Sequence, residues 1–177
     1  MRGAMSTRSI VIFPTFRNVA VIDRLRKQFD PLAAKIRPHI TLVFPFESGI
    51  SKNALRAEVA RCVADTAPFC MVLSGITGHV GEYLFLNFRE GTDQVVLLHD
   101  RLYAGALAPF LNKTIPYQPR LTIGRLHDAA SFAEALSEVE SVRKEFACIV
   151  ESVVIERVLS DETSEVESEV MLTKANR

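Results

Sequence analysis

Two short segments carry side chains suited to proton transfer and anion binding: Pro38-His39-Ile40-Thr41-Leu42 and Pro119-Arg120-Leu121-Thr122-Ile123. Both read proline, polar, aliphatic, threonine, aliphatic. A strand turns alternate side chains to opposite faces. His39 and Thr41 therefore share one face, and Ile40 and Leu42 share the other. Arg120 and Thr122 repeat the arrangement, backed by Leu121 and Ile123. Two matching polar pairs, about half a chain apart, imply one groove between two similar lobes. An imidazole titrates near neutral pH and can take or deliver a proton there. A guanidinium, with a pKa above about 12, cannot act as a base and is a very poor acid. The mismatch between His39 and Arg120 thus decides which chemistry is open to the groove.

The rest of the chain must hold these two strands side by side. Residues 10–13 form a compact aliphatic run that reads as a buried strand. Asn18 is placed to cap a helix to about Phe29, with Ile22, Leu25 and Phe29 at helical spacing. The first motif strand runs over 39–46, with Phe44 and Phe46 on the core face of Leu42. Ser51 opens a second helix that buries Leu55, Val59, Cys62 and Val63. Residues 69–73 and 83–88 read as strands about a turn region at 75–81. A third helix is expected over 93–110, on a stripe of Val95, Leu98, Leu102 and Ala106. The second motif strand covers 120–126. Ser131-Phe132-Ala133-Glu134 fits a capping box ahead of a fourth helix. Residues 146–160 read as one long, bent strand, and 165–170 as a strand with a solvated glutamate face. Interleaved helices and hairpins of this kind predict an α+β fold of two pseudo-symmetric β-α-β-rich lobes with mixed, largely antiparallel sheets. No linker divides the chain, so residues 1–177 are expected to form a single bilobal domain, with a loose terminus at 1–6.

Composition excludes several classes. Lys plus Arg and Asp plus Glu both number 21, so there is no broad positive field to coat nucleic acid. No apolar run is long enough to span a membrane. Cys62, Cys70 and Cys148 form no C-x-x-C pair and are odd in number, which implies reduced thiols and a cytoplasmic setting. The His and Cys positions lack zinc-ligand spacing, so neither metal nor other cofactor is expected.

With these segments in view, the chain resembles the 2H phosphoesterase superfamily, which includes the 2′-5′ RNA ligase-like proteins and the cyclic phosphodiesterases. The family motif is His-x-Thr/Ser plus an apolar residue, used twice. Residues 38–42 match the first copy in full. Residues 117–125, Tyr-Gln-Pro-Arg-Leu-Thr-Ile-Gly-Arg, match the frame of the second, except that Arg120 stands where the second histidine belongs. The resemblance implies a metal-independent groove acting on a phosphodiester, often a 2′,3′-cyclic phosphate. In the family the two histidines serve as general acid and base, while the hydroxyls hold non-bridging phosphate oxygens. Carried over, His39 is the sole titrating catalyst. Thr41, Thr122 and Arg120 become phosphate ligands, Arg120 through paired hydrogen bonds. The expected ligand is a nucleotide or RNA end bearing a phosphate group. The implied function is a divergent, slowed phosphoesterase on 2′,3′-cyclic phosphates or 2′-5′ diesters. The alternative is an inactive 2H-fold protein that binds a phosphate-bearing ligand or RNA end.

Neighbouring residues extend these expectations. Tyr117 sits at the groove rim by its place in the motif, where it either stacks on a base or packs against its own loop. Arg37 has the parity of His39 and either extends a basic floor or points into solvent. Arg125 has the opposite parity to Arg120 and reads as a structural ion-pair partner. His79, His99 and His127 fall in a turn, on a helix surface and beyond the second motif strand, so none replaces the missing imidazole.

Overall fold

The computed structural model describes residues 4–174. Eight strands form one antiparallel sheet, and four helices pack against it. In chain order the elements are β1 (Ser6–Ile12), α1 (Val19–Phe29), β2 (Ile40–Ser48), α2 (Lys52–Val63), β3 (Phe69–His79) and β4 (Tyr83–Glu90). They continue with α3 (Thr92–Tyr103), β5 (Leu121–Arg125), α4 (Ala129–Val139), β6 (Glu145–Val150), β7 (Ser152–Val158) and β8 (Ser164–Met171). The sheet order is β6-β3-β4-β5-β2-β1-β7-β8, so the two motif strands meet at its centre. Four strands flank the junction on each side. Helices α1 and α4 cover β5 and β3 in one half, and α3 and α2 cover β2 and β8 in the other.

The aliphatic positions of both motifs drive this packing. Ile40, Leu42, Leu121 and Ile123 are all 0% exposed, in one core with Ile22 and Leu25 of α1 and Leu98 and Leu102 of α3. Gly124 lets α1 come close to β5: a Cβ there would lie 2.7 Å from Cβ of Phe29. The β3–β4 hairpin turns at Val80 and Gly81, with φ of 56° and 68°, as tight primed turns require.

Where local pattern and tertiary context disagree, context prevails. The run expected as one bent strand is two strands parted at Glu151. β6 pairs with β3 and β7 with β1, so this bend carries the chain from one half-sheet to the other. The third helix ends at Tyr103, with only a short 3-10 turn at Ala108–Phe110 beyond it. Gly105 marks the break, where a Cβ would sit 2.1 Å from Glu58 Oε1. The fourth helix starts at Ala129, capped by Asp128, whose carboxylate accepts from the Ser131 amide at 2.8 Å; Ser131 is not its cap. Asn18 occupies the cap position of α1, but its side chain donates to the Glu145 carbonyl instead. Ser51 caps α2 as expected, accepting from the Ala54 amide. β3 runs on through His79, which was read as turn.

Register shifts in β2 and β8 redirect side chains. Ile10 pairs with Val43 and Val11 with Thr41, which leaves Leu42 as an extra residue in β2. Leu42 and Val43 are consequently both buried and Phe44 turns outward at 54% exposure; a second register shift, between Arg8 and Ile10, returns Phe46 to its expected core place. In β8 the extra residue is Glu167, which leaves the expected solvated row to pair with Arg8 at 2.9 Å. Val166, expected inside, is 56% exposed. Ser6 belongs to β1, and residues 1–3 of the expected loose terminus lie outside the described residues. Among the described residues no helix is long and apolar enough to cross a membrane.

Candidate active site

The two half-sheets touch through one strand pair, Ile40 opposite Leu121. Continuing that antiparallel register one step each way sets His39 across from Thr122 and Thr41 across from Arg120. By parity all four polar residues belong to the face away from Ile40 and Leu121; Ile40 and Leu121 are themselves the paired residues, and His39 and Arg120 lie just before β2 and β5. All four are half-buried, neither sealed in the core nor fully in solvent.

His39 is held from below. The Arg37 carbonyl lies 2.8 Å from its Nδ1, and a carbonyl can only accept, so Nδ1 carries the hydrogen. Nε2 of the neutral ring is left as a lone-pair acceptor. Burial pushes the imidazole below its ordinary pKa of 6.5, and the hydrogen bond to Arg37 opposes that only in part. That shift favours the neutral imidazole, the form whose Nε2 can accept a proton. The segment leading to it is tied down by Arg26, a buried arginine of α1. Its Nε and Nη2 donate to Asp30 Oδ2 at 2.9 and 2.6 Å, and its Nη1 donates to the Ile36 carbonyl at 2.8 Å. Sequence reasoning passed over this pair. Its signal was an arginine four residues before an aspartate at a helix end, a spacing that brings side chains together.

Arg120 is supported differently. Its guanidinium lies 4.7 Å from the centre of the Phe85 ring, and Phe85 pairs with Thr122 on the neighbouring strand. Tyr83 stacks on Phe85, with ring centroids 5.5 Å apart and planes 4° from parallel. The arginine therefore rests on an aromatic surface that fixes its plane.

Tyr117 points inward. Its ring stacks on His99 at 3.6 Å, and its hydroxyl donates to the Thr41 carbonyl at 2.8 Å. Burial raises its pKa, so the hydroxyl stays protonated and keeps that bond. His99 was read as a helix-surface residue, yet it is only 4% exposed. It lies four residues after Val95 and beside Leu98 on the apolar stripe, which was the overlooked signal. Its Nδ1 donates to the Leu42 carbonyl at 2.7 Å, and Tyr103 accepts from the Phe44 amide at 3.2 Å. Side chains thus satisfy the edge of β2 where β5 has diverged from it, which lets the half-sheets splay into a groove. Arg37 is exposed, its guanidinium 3.8 Å over the Phe13 ring. Arg125 forms the expected ion pair, to Glu82 at 2.7 Å. His79 and His127 are exposed and off the motif strands. Among the described residues no group of three or more His, Cys, Asp or Glu side chains is placed to hold a metal ion.

A curled antiparallel sheet whose two polar-x-Thr strands meet at its centre is the architecture of the 2H phosphoesterases. The family model of the 2′-5′ RNA ligase superfamily matches residues 14–162. The chain belongs to that superfamily. It is 30% identical over 134 residues to a provisionally named phosphoesterase of Geobacillus kaustophilus, covering 74% of this chain and 76% of the relative. A Bacillus cereus protein with the same provisional name is 29% identical over 136 residues, covering 73% and 76%. Escherichia coli LigT in its apo form superposes with a TM-score of 0.65 at 17% identity, over 97% of this chain and all of that one. LigT complexed with 3′-AMP gives a TM-score of 0.66 at 14% identity, over 96% and 99%. LigT has also been crystallised with ATP and with NADP+.

Proposed function

We propose that this groove hydrolyses a 2′,3′-cyclic phosphate or a 2′-5′ phosphodiester of a nucleotide or RNA end, with His39 as its one titrating catalyst. The observation that supports the reading is that the two polar-x-Thr segments meet at the Ile40–Leu121 pair, with His39, Thr41, Arg120 and Thr122 as its immediate neighbours in sequence. Thr41 and Thr122 donate to the non-bridging oxygens without adding a competing charge. Arg120 stabilises the charge that builds on the equatorial oxygens. Nε2 of His39 removes the proton from an attacking water, and the leaving oxygen takes its proton from solvent. Imidazole, guanidinium and hydroxyls supply both proton transfer and charge, so the reaction runs without metal or cofactor. Losing one acid–base group slows such a step by about 10²–10⁴-fold, so turnover is slow. The LigT complexes with nucleotides support a nucleotide ligand, and the free thiols of Cys62, Cys70 and Cys148 suit a cytoplasmic protein. The whole chain acts as one bilobal unit around this groove.

One observation favours a second reading. No second imidazole stands on either motif strand, so the same groove suits a binder that holds a phosphate-bearing ligand or RNA end without turning it over. Incubation with 2′,3′-cyclic nucleotides and 2′-5′-linked dinucleotides separates the two. Hydrolysis is expected to be slow, and His39→Ala to abolish it. Saturable, salt-sensitive binding with no product supports the second reading, and turnover unchanged in His39→Ala removes the first.

A further inference from the structure

Among the described residues the two motif strands share a single pair, Ile40 with Leu121. A longer ladder would fix how far apart the two walls stand, and here there is none. Past Thr41 the edge of β2 is held by a stack of three rings instead. Tyr117 lies on His99 with centroids 3.6 Å apart and planes 4° from parallel, and His99 meets Tyr103 edge-on at 4.9 Å. Their polar atoms grip three backbone groups within four residues. The Tyr117 hydroxyl donates to the Thr41 carbonyl at 2.8 Å, and His99 Nδ1 donates to the Leu42 carbonyl at 2.7 Å. The Tyr103 hydroxyl accepts from the Phe44 amide at 3.2 Å. His99 and Tyr103 both belong to α3. Tyr117 does not: it stands three residues before Arg120, on the segment that leads into β5.

We infer that Tyr117 is a positioning residue that sets the gap between the two motif strands, and so the grip of Thr41, Arg120 and Thr122 on a phosphate group. The inference rests on the phosphate-site reading given above and adds the part that spaces its two walls. Tyr117 is attached to both. Its hydroxyl is bonded to Thr41 of the first wall, and its backbone runs into Arg120 of the second. Three residues of chain reach at most about 11 Å, so there is little slack between the two attachments. Pro116 and Pro119 flank Tyr117 and Gln118 and stiffen the segment further. Each proline locks its own φ, and Pro119 steers Gln118 to extended backbone. The stack on His99 fixes the plane of the Tyr117 ring and with it the place of the hydroxyl. Tyr103 supplies the contrast. It makes the same kind of bond to the same strand, but it closes α3 and leads into neither motif. Tyr103 therefore steadies β2 without fixing its distance from β5.

A pair of variants tests this. Tyr117→Phe and Tyr103→Phe each keep the ring and remove one hydroxyl, so chemical denaturation is expected to give both a similar, small fall in midpoint. Calorimetric titration with inorganic phosphate is expected to separate them. Binding should weaken about tenfold in Tyr117→Phe and stay within about twofold of wild type in Tyr103→Phe. With a 2′,3′-cyclic nucleotide the Tyr117→Phe loss should fall on KM, with kcat within about threefold, because the support of His39 at the Arg37 carbonyl is untouched. Wild-type phosphate affinity in Tyr117→Phe, equal weakening in both variants, or a loss confined to kcat overturns the spacing role and leaves the phosphate site standing. A wild-type protein that binds no phosphate overturns both.

Discussion

Strands β2 and β5 are two copies of one design with different chemistry. Both enter from a proline, bury two aliphatic residues at 0% exposure and turn a polar-x-Thr pair to the groove. The aliphatic half of each motif answers to the core, and the polar half answers to whatever lies in the groove. Replacing imidazole by guanidinium at position 120 therefore leaves the scaffold intact and changes only the available reaction. The supports differ as well. His39 hangs from the Arg37 carbonyl, in a segment anchored by Arg26, whereas Arg120 lies on the Phe85 ring. One wall is built to place a single nitrogen atom, and the other to orient a charged plane.

Breaking the anchor on the first wall should have the largest effect. Arg26→Ala strands a buried Asp30 carboxylate and releases the segment that carries His39. Chemical denaturation should show a loss of about 3–5 kcal/mol, with turnover falling as well. Among the described residues the second wall has no comparable buried ion pair beneath it, so Arg120→Ala should leave the unfolding midpoint nearly unchanged. Arg120→His restores the symmetry of the two copies. If the remaining geometry is intact, hydrolysis of a 2′,3′-cyclic nucleotide should rise by about 10²-fold. No gain would favour a groove that only binds. The smallest effects belong to the hydroxyls. Thr41→Val and Thr122→Val should each weaken phosphate binding by about tenfold, and by similar amounts, because they face the ligand from matched positions. A large inequality would show that one wall holds the phosphate alone.

Much of this was legible in the sequence, for reasons that can be located. The alternation in residues 38–42 and 119–123 disclosed which side chains share a face, because a strand's period is fixed by its backbone; that the two strands pair at Ile40 and Leu121 was not read from it. The breaks were harder to see. Residues 146–160 look continuous because the crossover at Glu151 is set by which partner strand each half meets, and that information lies far away in sequence. Phe44 and Val166 were assigned to the core by simple parity. A bulge in β2 and another in β8 reverse that parity, and nothing local announces either one. In the site, the groove residues were named from their motifs. The layer that positions them was missed because Arg26, His99 and Phe85 reach it from other elements. Tyr117 was placed at the rim by its motif position, but its partner His99 drew it inward.

The central claim is that one titrating group remains where a paired site has two, and a pH–rate profile addresses it directly. Burial lowers the His39 pKa below 6.5, and a general base works only when neutral. As pH rises, kcat/KM should climb with unit slope through a single pKa below 6.5 and then stay level across the neutral and mildly alkaline range. A bell-shaped profile, with a second pKa and a falling limb between about pH 7 and 9, would contradict the account by showing that a second acid–base group takes part.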